Sequence, residues 1–449
     1  MLLVALPWLN PFAGGPSPAT PTWLFAAVCG TGLWLLASAH AGRLRSGLVL
    51  LALAISGWAV ATHPQDVVGT LALAGGLLLI LVRIHAAGRD AALDHGIAWA
   101  LLLAAGASTA LALLQYFGLS ALLAPWVSPA NAGEAYANLR QPNQFTTLCW
   151  LGAAVLLWAP LPGMPANARR ALVSLLAIGS AASMSRTGVL QGLLLTVLAL
   201  AWTGPGRRER ALLCATAALA YWAAALLLPF VLEATTGALP ARTLWGRIGS
   251  GESCSSRVVL WGNVLHLIAQ KPWLGWGWGE LDHAHFMTLY PGDRFCDILD
   301  NAHSLPLHLA VELGVPAAAV VGGVAVLWAW QRRPWREGAP QRQLGWAILA
   351  VIGLHSLLGY PLWDGPFQVA FGVAIGWLLA GRVDLRRTAP LARTAEAALS
   401  ALLLVALAYA AWDYWRVSQI YLPADQRRSA WSADPLAHAK RSALFAAQA

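Results

Sequence analysis

Long apolar segments separated by short polar loops dominate the chain. Segments such as 24–39, 97–117 and 211–232 approach or exceed the roughly 20 apolar residues that a helix needs to cross a bilayer. Each such segment must be helical, because lipid offers no partner for backbone N–H and C=O groups. The apolar positions also lack the period-two alternation of a membrane β-barrel. The pattern therefore predicts an all-α, polytopic membrane protein.

The hydropathy pattern predicts about twelve spans in a single integral membrane domain covering residues 1–449. The spans fall near 21–39, 46–61, 67–84, 94–117, 145–160, 170–183, 187–203, 211–232, 303–330, 343–360, 365–381 and 393–413. Two segments outside them are long. One is a loop at 233–302, and the other is a tail at 414–449.

Positive charge is concentrated in alternate loops. More than half of the 29 Lys and Arg residues lie in loops of one set, whereas the short loops of the other set have very few. The positive-inside rule makes the arginine-rich loops cytoplasmic. The opposite loops, the 233–302 loop and the 414–449 tail then face outside. In a bacterium this places the chain in the inner membrane, with its long loop in the periplasm.

The net charge of +9 would suggest nucleic-acid binding in a soluble protein. Here only 11% of residues are charged, against roughly 25% in soluble proteins, and the arginines lie in loops between spans. We therefore expect the lipid bilayer, and not nucleic acid, as a partner.

Two of the five cysteines, Cys254 and Cys296, fall in the long outer loop. In an oxidising compartment they could form a disulfide. The sequence does not give the distance between them, so the pairing stays open. Cys29, Cys149 and Cys214 lie in spans, as small buried apolar side chains do.

Three of the arginines on the outer side of the membrane are candidate binding residues. Arg140, with Gln141 and Asn143, precedes a span, Arg186 interrupts an apolar run, and Arg257 begins an amphipathic segment. Each could instead have a structural role, as a headgroup anchor, a loop cap or the start of a helix lying on the membrane. Three outward guanidinium groups in an apolar protein nevertheless suggest an anionic ligand, because their geometry matches phosphate oxygens.

The stretch LDNAHSLPLHLAVELG (299–314) adds candidate chemistry at the outer end of a predicted span. On one helix, His303 would point about 140° from His308 and about 180° from Glu312, so the three cannot bind one metal. His308 and Glu312 are four residues apart and could pair. His303 could be a general base or a structural histidine.

These motifs resemble the bacterial O-antigen ligase and protein O-oligosaccharyltransferase superfamily, and within it the branch that glycosylates pilins and other periplasmic proteins. The hallmark is a long loop followed by Asn301-Ala302-His303 and Glu312-Leu313-Gly314, and NLRQPNQF (138–145) indicates the protein-glycosylating branch. Also similar are Ser185-Arg186, the segment from Ser256-Arg257 to LGWGWGE, HSLLGYPLW (355–363) and DYWRVSQIYLP (413–423). Ser304 departs from the asparagine common in relatives, and the tail is shorter than is usual in this branch.

The resemblance implies the O-antigen ligase fold and en bloc transfer of an oligosaccharide from undecaprenyl diphosphate to Ser or Thr hydroxyls of a periplasmic protein such as pilin. It implies that His303 is the general base, that Arg186, Arg257 and Arg140 bind the diphosphate, and that the sugar is inverted. The supporting residues would be Asn301, Gln141, Asn143 and Glu280. No nucleotide is expected, because the lipid diphosphate is already a good leaving group. No metal or other cofactor is expected, because guanidinium groups can supply the countercharge.

Alternatives remain at this stage. On the same scaffold, the protein could pass O-antigen to lipid A-core or polymerise the glycan. A different class, a multi-span transporter, would normally carry ionisable groups nearer mid-membrane.

Overall fold

A computed structural model of the protein describes residues 1–12, 19–37, 46–64, 67–86, 91–204, 206–239, 254–379, 390–428 and 434–445. Within these ranges the chain is helical and contains no β-strand, which confirms the predicted all-α fold. Parts of two arginine-rich loops (38–45 and 380–389), of the long outer loop (240–253) and of the tail (429–433 and 446–449) lie outside the described residues.

The described α-helices are numbered here in chain order. The first nine are α1 Leu2–Ala5, α2 Ala19–Ala37, α3 Ser46–Thr62, α4 Val67–Ala86, α5 Ala91–Tyr116, α6 Pro142–Trp158, α7 Ala166–Ala182, α8 Arg186–Ala201 and α9 Arg207–Thr236. The others are α10 Arg257–Gln270, α11 Leu281–Met287, α12 Leu305–Leu313, α13 Val315–Arg332, α14 Pro340–Leu358, α15 Gly365–Leu379, α16 Pro390–Ser418 and α17 Pro435–Ala439.

Several of these helices suit a membrane by length and composition. Among the described residues, five helices are long and apolar enough to cross a bilayer: 19–36, 91–116, 207–236, 315–336 and 394–421. Three shorter apolar helices, 47–62, 186–201 and 365–379, accompany them. The chain is therefore a multi-pass membrane protein.

Helix α6 is the centre of the bundle. It is buried continuously from Phe145 to Trp158, and it packs against α5, α7, α8 and α14. Helix α13 is the opposite case, since none of its residues is buried against the rest of the described chain. An apolar helix without buried residues suits contact with lipid.

Glycines allow α8 to approach α6 closely. A Cβ on Gly192 would lie 2.6 Å from the Trp150 ring, and one on Gly188 would overlap Thr146 Oγ1. Small residues at such crossings let membrane helices pack backbone to backbone. Both helices begin at the same end of the bundle, where α14 ends, and we call this end the site face.

The predicted span 303–330 is wrong, because the structure divides it into α12 and α13 at Gly314, whose φ is 87°. The carbonyls at the end of α12 are bound from outside the helix. Trp276 and Gly277 donate their backbone N–H groups to the carbonyls of Val311 and Glu312 at 2.9 and 3.0 Å. The segment LGWGWG therefore caps α12 and ends it, a tertiary effect that hydropathy does not detect.

Helices α10 and α11 lie within the predicted long loop and pack against α12 around their own small core. This core contains Val264, Leu267, Leu281, Leu299 and Val311. The outer segment is therefore a folded layer over the site face.

The tail after α16 folds back onto the end of that helix. Asp413, which is fully buried, accepts hydrogen bonds at 2.7 Å from the Ser442 hydroxyl and at 3.1 and 2.9 Å from the backbone N–H groups of Ala443 and Leu444. The ring of Phe445 packs edge-on against Tyr414. These contacts fix the described part of the tail to the helical bundle.

Candidate active site

His303 lies in the turn that leads into α12, and it is not the first residue of a helix, as a continuous span would require. Its backbone is left-handed, with a φ of 51°. The side chain of Asn301 stabilises this conformation, because its Oδ1 accepts the His303 backbone N–H at 2.9 Å. Asparagine thus forms the turn that presents the imidazole.

The ring of His303 has a defined orientation. Its Nδ1 lies 3.0 Å from the Asn301 carbonyl oxygen, which can only accept, so Nδ1 carries a proton. In the neutral ring, Nε2 then has the free lone pair. Burial lowers the pKa of His303, the hydrogen bond to Asn301 raises it, and the positive charge of Arg257 lowers it further. The neutral form of the ring is therefore favoured, and in this form Nε2 can accept a proton.

Helix α10 holds Arg257 near this turn. Arg257 is half-buried at the first position of α10, behind the N-cap Ser256, whose hydroxyl accepts the Val259 N–H at 3.3 Å. One turn further, Trp261 donates its indole N–H to the Ala302 carbonyl at 3.1 Å. This bond attaches α10 directly to the Asn301-Ala302-His303 turn.

Cys254 and Cys296 form a disulfide in the structure, with sulfur atoms 2.13 Å apart. The bond connects the residues just before α10 to the segment that leads to His303. Asn263 adds a second connection, since its side chain donates to the Asp293 carbonyl at 2.9 Å and accepts from the Phe295 N–H at 2.8 Å.

Tyr360 and Asp364 come from the loop between α14 and α15. The Tyr360 ring meets the His303 ring edge to face, with centroids 4.9 Å apart. Asp364 is buried next to Gly365, and this burial raises its pKa to about 7, although the charge of Arg140 lowers it. The sequence motif HSLLGYPLW contained Tyr360, but nothing in its spacing placed the ring against His303.

The guanidinium of Arg140 is held by hydrogen bonds to two backbone carbonyls. Its guanidinium donates to the carbonyls of Asn138 and Pro11 at 3.1 and 2.5 Å, and its backbone is left-handed, with a φ of 59°. Burial lowers its pKa, an effect that the charge of Asp364 opposes. The two bonds use two of the five N–H donors of a guanidinium, so further donors remain.

Gln141, Asn143 and Arg186 lie together where α6 and α8 begin. Gln141 caps α6 by accepting the Gln144 N–H at 2.6 Å, and the Ser185 hydroxyl, which caps α8, donates to Asn143 Oδ1 at 2.6 Å. Arg186 follows this cap and is exposed. Gln141 and Asn143 therefore build the helix starts, and Arg186 extends from one of them.

Glu280 lies apart from His303. Its carboxylate is 3.5 Å from His283 Nδ1, and both side chains are exposed. No described contact joins it to the His303 turn.

His308 and Glu312 pair one turn deeper, as their spacing predicted, with Nε2 and Oε2 3.1 Å apart and both side chains buried. His308 Nδ1 accepts the Ala302 N–H at 3.4 Å, and its ring packs edge-on against Trp363, with centroids 4.6 Å apart. Through the bond from the Ala302 N–H, His308 helps to fix the backbone next to His303. Among the described residues, no group of three or more His, Cys, Asp or Glu side chains could hold a metal ion.

The structure thus brings His303 and Arg257 together with Tyr360. Asp364 is close enough to interact electrostatically with both Tyr360 and Arg140. The sequence alone did not indicate Asp364. The site of this all-α polytopic bundle therefore combines an imidazole that can accept a proton with nearby cationic groups that can bind an anion.

Comparison with known proteins shows which family this chain resembles. A sequence profile described as O-antigen ligase matches residues 171–322. A second, described as the C-terminal part of a virulence factor membrane-bound polymerase, matches residues 343–449. Over these residues the chain is similar to the O-antigen ligase superfamily.

Two relatives from Acinetobacter baylyi confirm the resemblance to the protein O-oligosaccharyltransferase branch. A general O-oligosaccharyltransferase is 23% identical over 337 residues, which are 73% of this chain and 58% of that protein. A ComP-specific O-oligosaccharyltransferase is 22% identical over 252 residues, which are 56% of this chain and 45% of that protein. The chain thus spans less than two thirds of the length of these relatives.

Proposed function

We propose that the protein transfers an oligosaccharide en bloc from an undecaprenyl-diphosphate carrier to Ser or Thr hydroxyls of periplasmic proteins such as pilin. The observation that carries this proposal is the His303 imidazole, with Nδ1 bound to the Asn301 carbonyl, Nε2 free and Arg257 nearby. The likeness to two named oligosaccharyltransferases supports the reaction class.

In the proposed reaction, Nε2 of His303 removes the proton of the acceptor hydroxyl. The hydroxyl oxygen attacks the anomeric carbon, and the bond between that carbon and the diphosphate oxygen breaks. Its electron pair leaves with the undecaprenyl diphosphate. A single displacement of this kind inverts the anomeric configuration and consumes no nucleotide.

The cationic groups would stabilise the departing diphosphate. Arg257 is the proposed main contact, because it lies close enough to His303 to lower the pKa of the imidazole. Arg186 is exposed at the start of α8 and would bind from the other side. Arg140 would add positive charge through its remaining donors. Fixed charges of this kind stabilise a transition state without reorganising.

Asn301 would act by holding the His303 turn, and Gln141 and Asn143 by fixing the starts of α6 and α8. Glu280 has the weakest support, because its described contact is with His283 on the solvent side. The proposed location is the inner membrane, with the site face towards the periplasm, as the charge asymmetry of the loops predicts.

A transfer assay in cells tests the acceptor class. The protein is co-expressed with a lipid-linked glycan pathway and a pilin-like acceptor in a host without its own ligase. Sugar on the periplasmic protein supports the proposal. Sugar on lipid A-core would instead indicate an O-antigen ligase. Lipid-linked glycan that only becomes longer would indicate a polymerase, the activity named in the description of the 343–449 match.

A further inference from the structure

Three buried polar side chains meet beneath the site face, one from each of α6, α8 and α14. They are Thr147, Gln191 and His355, and each is at most 2% exposed. Polar groups this deep in an apolar bundle are costly unless they bind one another. None of the three belongs to the proposed chemistry.

The hydroxyl of Thr147 makes the maximum number of hydrogen bonds. It donates its proton to the Asn143 carbonyl at 2.6 Å and accepts from Gln191 Nε2 at 2.8 Å. Its second lone pair faces His355 Nδ1 at 2.9 Å. Since the hydroxyl has no second proton, His355 Nδ1 must be the donor.

Gln191 extends the connection to α14. Its Nε2 also lies 3.2 Å from the Val351 carbonyl, one turn before His355 on the same helix. Helices α8 and α14 are thus both hydrogen-bonded to α6 through Thr147. Gly188 and Gly192, on either side of Gln191, permit the close approach of α8 that these bonds require.

The outer ends of these three helices hold the residues of the site. Helix α6 begins after Arg140 and Gln141, α8 begins at Arg186, and α14 ends just before Tyr360, whose ring contacts His303. A change in the angle between the helices would therefore displace the arginines relative to the imidazole.

We propose that Thr147, Gln191 and His355 form a positioning triad, in which the His355 Nδ1–H bond to Thr147 fixes the outer ends of α6, α8 and α14 for glycan transfer. The proposal rests on the proposed function of the site. His355 acts through Thr147, and it does not itself touch the substrate.

Matched substitutions of His355 distinguish the two ring nitrogens. Asparagine places an N–H donor where Nδ1 lies, whereas glutamine reaches the position of Nε2. We expect His355→Leu and His355→Gln to lower kcat for glycan transfer by about tenfold or more, because small misalignments of reacting groups cost this much. His355→Asn should stay within about threefold of the wild type, since it keeps the aligning donor.

Thr147 gives an independent pair of variants. Thr147→Val keeps the shape and removes the hydroxyl, and it should lower kcat as His355→Leu does. Thr147→Ser keeps the hydroxyl and should restore most of the rate. Ser356→Ala is the matched control, because the described hydrogen bond of the Ser356 hydroxyl stays within α14, to the Ile352 carbonyl at 2.9 Å. Its rate should equal that of the wild type.

The readouts are kcat for transfer, the pH profile of the rate and the amount of folded protein in the membrane. The triad predicts that folded protein and pH profile stay unchanged while kcat falls. Full activity of both His355→Leu and Thr147→Val would overturn it. So would rescue by glutamine and not asparagine, or a loss of rate that matches a loss of folded protein. If the wild type itself transfers no glycan to protein, the proposed function fails instead.

Discussion

The imidazole of His303 meets the phenol ring of Tyr360 edge to face, with centroids 4.9 Å apart. This contact joins the outer layer, which presents His303, to the loop between α14 and α15. Because the two parts lie on separate structural elements, their contact helps to define the geometry of the site.

Replacement of Tyr360 tests this contact. Tyr360→Ala should lower glycan transfer by about tenfold or more, because the imidazole loses the surface that orients it. Tyr360→Phe keeps the ring edge and should retain most of the activity. Transfer to a co-expressed acceptor is the measurement, and Tyr409→Ala, on the exposed side of α16, is the control. Equal activity of Tyr360→Ala and the wild type would contradict the assigned contact.

The transfer rate should depend on pH through His303. Burial and Arg257 lower the pKa of this imidazole below its usual 6.5, so the basic form persists at neutral pH and is lost only at more acidic pH. The pH profile of kcat/KM reports this group in the free enzyme. We expect kcat/KM to decline in acid, with a midpoint below the usual pKa of about 6.5 for histidine.

Removing the positive charge of Arg257 should shift this profile. In Arg257→Gln the pKa of His303 rises, so the acid decline begins at higher pH, in addition to a general loss of rate from weaker diphosphate binding. Lys271→Gln, a change of another cation in the same outer layer, should leave the midpoint in place. A midpoint that stays fixed or moves to lower pH in Arg257→Gln would refute the electrostatic link.

The Cys254–Cys296 disulfide should hold α10 against the His303 turn. It closes a loop of 42 residues, and bonds of this kind typically stabilise by about 2–4 kcal/mol. The double substitution Cys254→Ser and Cys296→Ser should increase hydrogen exchange of 255–303 and lower transfer. A reductant should reproduce both effects in the wild type and change nothing in the double variant. Equal exchange in the two proteins would show that the bond does not order this layer.

The buried pair of His308 and Glu312 should stabilise the folded protein. Either His308→Leu or Glu312→Leu leaves one buried polar side chain without its partner, which costs about 1–3 kcal/mol. The double substitution removes both groups and should recover part of this loss. Thermal unfolding in detergent is the measurement. Additive losses in the double variant would contradict a direct interaction.

The sequence predicts helices well and their tertiary placement poorly. The break between α7 and α8 at 183–185 was correctly located, because polar residues interrupt the apolar run there. The division at Gly314 was missed, because it depends on backbone donors from Trp276 and Gly277, which are close only in the folded chain.

For the candidate site, too, the sequence indicates residues better than it indicates their placement. Motifs drew attention to His303 and Arg257 as site candidates, since their residue types and order are distinctive, and their roles stay predictions. The approach of Tyr360, Asp364 and Arg140 could not be predicted, because it depends on how three loops pack at one end of the bundle. The pairing of Cys254 with Cys296 could not be decided from the sequence for a related reason. Their Cα–Cα distance of 5.4 Å is a property of the fold.

The most direct test of the account is glycosylation of a co-expressed pilin by His303→Ala, with the folded protein in the membrane measured in the same cells. The account predicts a loss of transfer of at least about a hundredfold, as expected when a general base is removed. It also predicts an unchanged amount of folded protein, because His303 is only partly buried. Glycosylation at the wild-type level in this variant would contradict the central claim.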